Sequence, residues 1–199
     1  MSKKPDILIA ATHLFASKGF KETSTAELAS IIGAAESTIF YHYKTKEEIL
    51  LAVLKTIRDE LLLEFEHHYA EEQFPNGLAL LEDTISYYFH LAGAKPETFQ
   101  LLHHRFPYEL ATINPVCRGH LEAIYNCFID LFENAIRAGQ KDGSIVPNST
   151  RKSAMIVFAM IDGLVRFNSH QLYDAGTLYD ELLASCRRML GSTANPSQE

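Results

Sequence analysis

Residues 23–43 read TSTAELASIIGAAESTIFYHY, and this stretch decides the fold. Ser24 and Glu27 have the spacing of a capping box, which predicts that a short helix begins there and ends at Gly33. Residues 36–43 are predicted to form a second short helix of about two turns. A short helix, a turn containing glycine and another short helix form a helix-turn-helix, whose second helix is able to enter the major groove of DNA.

The flanking residues predict one helix on each side of this pair. Apolar residues recur at helical spacing in residues 6–17, and Gly19 follows as a stop signal. Thr45 and Glu48 form a second capping box, which opens a fourth helix that the apolar period carries to about residue 72. Three short helices therefore fit into the first fifty residues.

The remaining sequence shows only helical periodicity. No sustained alternation of apolar and polar residues, and no hairpin dipeptide between apolar runs, indicates a strand. Five further helices are predicted over residues 78–91, 97–108, 115–139, 149–172 and 177–190. The chain is therefore predicted to be all-α, with about nine helices in total.

Charge is unevenly distributed along the chain. The 199 residues carry a formal net charge of −7, which argues against nucleic acid because lysine and arginine neutralise phosphates. Residues 1–50 contain six lysines and six acidic residues, so the whole excess of negative charge lies in residues 51–199. A local patch in the first part can contact DNA, but so weakly basic a module needs dimerisation for affinity.

Neither a membrane segment nor a thiol site is predicted. The longest purely apolar run, 154–161, is much shorter than the roughly 20 residues that a membrane-spanning helix needs. The first residues lack the apolar stretch of a signal peptide, so a cytoplasmic protein is expected. The three cysteines lack Cys-x-x-Cys spacing, which argues against a disulfide framework and a thiolate metal site.

Residues 6–51 resemble, in order and spacing, the DNA-binding domain of TetR/AcrR-family regulators. The segments that carry the resemblance are Ile7-Leu8, Ala11, Leu14-Phe15-Ala16, Lys18-Gly19-Phe20, Thr23-Ser24-Thr25, Glu27-Leu28-Ala29, Gly33 and residues 38–47. The resemblance implies that Thr38 lies nearest the bases and that four other side chains contact phosphates. Those four are Thr25, Tyr41, His42 and Lys46. The apolar residues Phe15, Phe20, Leu28 and Ile39 are expected in the core.

The chain departs from the family pattern around the third helix. Ala35, Glu36 and Ser37 stand where a serine cap followed by a Lys-Gly pair is usual, and Phe40 replaces a frequent tyrosine. The Glu36 carboxylate would repel phosphate but is able to accept a hydrogen bond from cytosine N4. Two alternatives are therefore open, in which Glu36 reads a base or turns away from the groove. Glu36 and Ser37 complete the predicted DNA-binding set.

The resemblance also implies a second, regulatory domain. We expect a DNA-binding domain in residues 1–50, a helical effector-binding and dimerisation domain in residues 51–191, and a disordered tail in residues 192–199. In such proteins the last two helices of two subunits pack as a four-helix bundle, and the predicted helix 149–172 is apolar around most of its circumference. A homodimer would place two third helices one DNA turn apart, about 34 Å, and would read a palindrome.

The middle helices are rich in aromatic residues, which favours a pocket for a small hydrophobic or aromatic effector. An acidic group on the effector would bind Arg105 or Arg166. The candidate pocket residues are Tyr88, Phe99, His103, Phe106, Phe128, Phe158, Asp162 and Arg166. The alternative is that the aromatic stripe is ordinary core.

The expected function is that of a repressor that leaves its operator when the effector shifts the fourth helix. The alternative is a helical binding or scaffolding protein with a TetR-like fold and weak or no DNA binding. The sequence contains neither a Gly-rich phosphate loop nor a recognisable set of nucleophile and base, so an enzyme is not expected. No cofactor is expected. The pairs His67-His68 and His103-His104 point about 100° apart on a helix, so no metal site is expected either.

Overall fold

The computed structural model describes residues 2–70 and 73–191, and these residues form α-helices without a β-strand. The described residues contain ten α-helices, which are α1 Lys4–Ser17, α2 Thr25–Ile31, α3 Glu36–His42, α4 Lys46–Tyr69, α5 Gly77–Ala94, α6 Pro96–His103, α7 Arg105–Ala111, α8 Pro115–Asp142, α9 Thr150–Ser169 and α10 Tyr179–Met189. A short 3-10 helix, Ala175–Leu178, precedes α10. The all-α prediction is confirmed. The predicted tail 192–199 lies outside the described residues, as do Glu71 and Glu72.

The described chain divides into two compact units. Residues 2–67 and 95–124 form the first unit, and the described residues of 68–94 and 125–191 form the second. Because the boundaries fall inside α4 and α8, each of these helices contributes residues to both units. The functional division at residue 50 stays a prediction.

The apolar faces of α1, α2, α3 and α4 form part of the core of the first unit. Phe15, Leu28 and Ile39 are completely buried, and Phe20 is 9% exposed, which confirms their predicted place in the core. The Phe20 ring also stacks on Phe106 of α7, with 3.9 Å between the ring centroids. The start of α7 is thereby packed against the turn that follows α1.

The predicted single helix 97–108 is wrong, because the structure has two helices there. His104 separates α6 from α7 with an extended backbone, at a ψ of 147°. Its Nε2 lies 2.7 Å from the carbonyl oxygen of Ala16, at the end of α1. Pro107, the third residue of α7, suits the first turn of a helix and not its interior. The residue between α6 and α7 therefore contacts the end of α1.

In the second unit, the first residue of α5 lies directly against the last turns of α8. A Cβ atom added to Gly77 would overlap the backbone nitrogen of Gly139, so only glycine fits at this crossing. The backbone N–H of Gly77 donates to Asp142 at 2.6 Å, and that of Leu78 donates to the Ser144 hydroxyl at 3.1 Å. Two of the free N–H groups at the start of α5 are thus satisfied by side chains at the end of α8 and in the turn that follows it.

Candidate nucleic-acid interface

The α2–α3 turn is closed by a regular C-terminal helix cap. The Ala34 N–H donates to the Ala29 carbonyl at 2.9 Å and the Gly33 N–H donates to the Ser30 carbonyl at 3.2 Å, which is the Schellman pattern. Gly33 has a φ of +61°, which glycine adopts without strain. At the other end of α2, the Ser24 hydroxyl accepts from the Glu27 N–H at 3.1 Å. The residues that fix the direction of α3 are therefore all local in sequence.

Helix α3 buries one residue and leaves the others at least partly exposed. Ile39 is completely buried, whereas Tyr41 is 84% exposed and Phe40 is 50% exposed. The Tyr41 ring meets the His42 imidazole edge-on, with 4.9 Å between centroids. Thr38 and His42 are half-buried beside them. The helix therefore presents a hydroxyl, a phenol and an imidazole on its outer face, and these groups suit phosphates and base edges.

The starts of α2 and α3 are joined by a side-chain hydrogen bond. The Thr25 hydroxyl donates to the exposed Glu36 carboxylate. Ser37, the next residue, is exposed as well. A carboxylate thus lies within hydrogen-bond distance of a hydroxyl that the resemblance assigns to a phosphate. The role of Glu36 on DNA stays a prediction.

Lys46 is engaged within the protein. Its Nζ donates to the Thr23 carbonyl at 2.7 Å and to the Lys21 carbonyl at 3.3 Å, and it lies 4.5 Å from the centroid of the Phe20 ring. Burial lowers the pKa of Lys46, and the nearby Glu22 carboxylate partly opposes this shift. Sequence reasoning missed this bracing of the α1–α2 turn, and the predicted phosphate contact of Lys46 stays a prediction.

Other lysines near the interface are paired with carboxylates. Lys18 lies 2.7 Å from Glu27, and Lys21 lies 3.5 Å from Glu109 of α7. Lys44, two residues after the end of α3, is exposed. Because positive charge on this surface is scarce, hydroxyl and aromatic groups must supply much of any affinity for DNA.

The predicted effector residues fall into two groups, one in each unit. In the second unit, Phe128 and Phe158 have centroids 5.6 Å apart, and Tyr88 meets them edge-on at 4.9 and 5.8 Å. The Tyr88 hydroxyl donates to the Asp162 carboxylate at 2.7 Å. Arg166, one turn further along α9, is exposed. The structure therefore brings together a cluster of three aromatic rings and a carboxylate.

The remaining predicted effector residues belong to the first unit. Phe99 is 1% exposed and His103 is 5% exposed. Phe106 packs on Phe20, as described above. These contacts give each side chain a packing role in the first unit, and a role in effector binding stays a prediction for both groups.

Two further properties bear on the kind of site present. Among the described residues, no three His, Cys, Asp or Glu side chains are grouped so that they could hold a metal ion. His68 instead lies 2.7 Å from Asp83 and stacks on Tyr87, with 3.7 Å between centroids. No helix in the described ranges has the length and apolar character needed to cross a membrane.

Comparison with known proteins identifies relatives of both parts of the chain. The family model for bacterial regulatory proteins of the tetR family matches residues 7–53. The transcriptional regulator QacR of Staphylococcus aureus is 24% identical over 182 residues, which cover 86% of this chain and 88% of QacR.

Solved structures share the fold over nearly the whole chain. A tetR-family regulatory protein from Rhodococcus RHA1 has a TM-score of 0.76 and 23% identity, covering 97% of this chain and 99% of that one. FadR from Bacillus subtilis, solved in complex with stearoyl-CoA, has a TM-score of 0.73 and 22% identity, covering 92% of this chain and 96% of that one.

Proposed function

The chain belongs to the TetR family of bacterial regulatory proteins, and from this premise we propose that it is a repressor that binds a palindromic operator as a homodimer. The observation that carries the proposal is the outer face of α3. This helix buries only Ile39 completely and exposes 84% of Tyr41. A short helix held by a Schellman turn, with a polar outer face, is suited to the major groove.

Each polar side chain of the interface has a proposed task. Thr38 lies nearest the bases, and Ser37 lies beside it on the outer face. Tyr41, His42 and Thr25 bind phosphates on either side, which fixes the helix in the groove. Lys46 contributes through its ammonium, which either stays on the Thr23 carbonyl or exchanges it for a phosphate oxygen.

The second copy of the chain is proposed to cover α9 and α10. Met155, Ile156 and Phe167 of α9 are 50%, 51% and 43% exposed, although the opposite face of the helix is buried in its own unit. Leu178 and Met189 are exposed at the two ends of α10. Large exposed apolar side chains that follow one helix face are typical of a protein interface.

The effector is proposed to be a small organic molecule with a hydrophobic or aromatic body. Support comes from the cluster of Tyr88, Phe128 and Phe158 and from the Asp162 carboxylate beside it. FadR from Bacillus subtilis, which shares the fold, was solved in complex with stearoyl-CoA, a ligand that carries a long apolar chain. Since α4 begins at Lys46 and contributes to both units, a shift of this helix would carry effector binding to the DNA surface. The proposed place of action is the cytoplasm.

The test is sequence-specific DNA binding by the purified full chain. Fluorescence anisotropy with the promoter fragment beside its own gene should give saturable binding that weakens as salt rises, and a scrambled fragment should bind more weakly. Equal affinity for both fragments, or no affinity for either, would contradict the repressor proposal. The helical binding or scaffolding protein would then be the better account, supported by the zero balance of charge in residues 1–50.

A further inference from the structure

The first unit contains a pocket that none of the predicted DNA-binding or effector residues lines. It lies between α1, α4 and α6 and has a volume of about 460 Å³. Its apolar wall includes Leu8 and Ile9 of α1 and Ile57 of α4. Ile9 is 71% exposed, so this wall offers a large aliphatic side chain to a ligand. The volume is within the range of roughly 300–1,000 Å³ that is usual for small-molecule pockets.

Two carboxylates line the pocket from different helices. Glu60 belongs to α4 and Glu97 to α6. The Lys95 ammonium is 2.9 Å from Glu64 but 3.9 Å from Glu60, so Glu64 is its closer partner. Glu60 therefore keeps most of its capacity to bind a cation.

Glu97 also keeps acceptor capacity. Its Oε1 lies 2.7 Å from His13 Nδ1, and an imidazole N–H donated there occupies one acceptor position of the carboxylate. A carboxylate has about four such positions, which leaves room for an ammonium group.

The opposite end of the pocket carries Lys4 and Tyr43. The Lys4 ammonium lies 5.9 Å from the centroid of the Tyr43 ring. Burial raises the pKa of Tyr43, so its phenol stays neutral and its ring adds an aromatic surface. With two carboxylates and one lysine, the pocket has an excess of negative charge.

We propose that this pocket binds a small amphipathic organic cation, such as a primary amine on an aromatic or aliphatic body. The ammonium group would lie between Glu60 and Glu97, where charge-assisted hydrogen bonds are strongest. The body would cover Leu8 and Ile9, which removes apolar surface from water. The site shares no residue with the aromatic cluster around Tyr88.

The regulatory consequence rests on the proposed function. Helix α1 supplies the core contacts of the helix-turn-helix, and the pocket lies between α1 and two helices that follow it. A bound cation would bridge α1 to α4 and α6 and would restrict the movement of α1 against them. Occupancy should therefore change the Kd for operator DNA.

The test is isothermal titration of the full chain without DNA, using 4-phenylbutylamine and 4-phenylbutanoate. The two probes share one skeleton and differ in the sign of the charge. We expect the amine to bind once per chain and the carboxylate to bind at least about tenfold more weakly. The double variant Glu60→Gln, Glu97→Gln should lose about tenfold or more in affinity for the amine. The control Glu66→Gln, Glu122→Gln removes the same charge from α4 and α8 outside the pocket and should bind normally.

The variant Thr56→Trp tests whether lost amine binding reflects the pocket itself and not misfolding of the protein. This substitution fills the pocket from α4 and leaves both carboxylates in place, so it should also abolish amine binding while the circular dichroism spectrum is unchanged. Equal affinity for both probes, or amine binding that survives Thr56→Trp or the double glutamine variant, would overturn the proposal. Because the assay contains no DNA, amine binding by a chain that fails to bind any operator would refute the repressor and leave this site intact.

Discussion

Helices α3 and α9 both leave one face uncovered, and the two faces differ in chemistry, although the half-exposed Phe40 ring adds one apolar group to α3. The outer face of α3 carries Ser37, Thr38 and Tyr41, whereas that of α9 carries Met155 and Ile156. A polar face is already well solvated and gains from a polyanion that its hydroxyl groups can bind. An apolar face gains from the removal of water by another protein surface. Under the proposed function, the polarity of the exposed face, and not helix length, separates the DNA-contacting helix from the dimerising one.

The largest effect is expected on the apolar face. Ile156→Glu would place a carboxylate at the proposed contact in both copies, and an unpaired buried charge costs several kcal/mol. The dimer Kd should rise by about 100-fold or more, as measured by analytical ultracentrifugation. Lys141→Glu, an exposed charge reversal at the end of α8, should leave the Kd unchanged. A dimer of normal strength in Ile156→Glu would mean that a different surface joins the two copies.

The next effect is expected on the polar face. Tyr41→Ala should weaken operator binding by about 10-fold to 100-fold, because each half-site loses a phosphate contact. Fluorescence anisotropy measures this change. Tyr41→Phe removes only the hydroxyl, so it separates the contribution of the hydroxyl to affinity from that of the ring. Ile113→Ala is the control, since Ile113 is 81% exposed but lies outside the helix-turn-helix. If Tyr41→Ala and Ile113→Ala bound alike, α3 would have no part in recognition.

A smaller effect is expected at the α1–α2 turn, which Lys46 braces beside the helix-turn-helix. Lys46→Met keeps the aliphatic stem over Phe20 but removes the donor to the Thr23 and Lys21 carbonyls. The free energy of unfolding should fall by about 1 kcal/mol, which is less than the usual contribution of hydrogen bonds to charged groups because this ammonium is partly exposed to solvent. Urea unfolding of the full chain measures it, and Lys44→Met, at an exposed neighbouring lysine, should change stability less. Equal stability of the two variants would show that the observed hydrogen bonds contribute nothing.

The smallest effect concerns the one acidic side chain on the polar face of α3. Glu36→Gln removes a charge that repels phosphate and weakens the hold on the Thr25 hydroxyl. Operator affinity should rise by about threefold, and the salt dependence should otherwise be retained. Glu66→Gln, which changes charge on α4, should have less effect. Weaker binding by Glu36→Gln, with lost preference at a cytosine, would identify Glu36 as a base reader.

The helix-turn-helix was predictable from sequence because its determinants are local. The cap formed by Ser24 and Glu27 and the positive φ of Gly33 involve residues within a few positions of one another. The break at His104 was not predicted, since it coincides with a contact to Ala16, 88 residues away in sequence. The sequence contains one indication of this break, Pro107, because proline is favoured in the first turn of a helix and disfavoured in its interior.

The packing partners of the aromatic residues were harder to predict. The helical period of a sequence indicates which side chains are buried, but it does not indicate which other side chain each of them contacts. Phe106 and Phe128 have the same type of pattern, yet Phe106 stacks on Phe20 and Phe128 on Phe158. The pocket between α1, α4 and α6 was missed for a related reason. Its lining residue Ile9 looks like any exposed apolar residue until the other helices are in place.

The most direct test of the account asks whether the outer face of α3 touches DNA. The photoreactive residue p-benzoylphenylalanine, placed at Tyr41, should crosslink to operator DNA on irradiation. The same residue placed at Ile113 should not. Crosslinks from position 41 that map to two half-sites about one helical turn apart are the predicted result. Crosslinking from position 113 alone, or from neither position under conditions of full binding, would contradict the central claim.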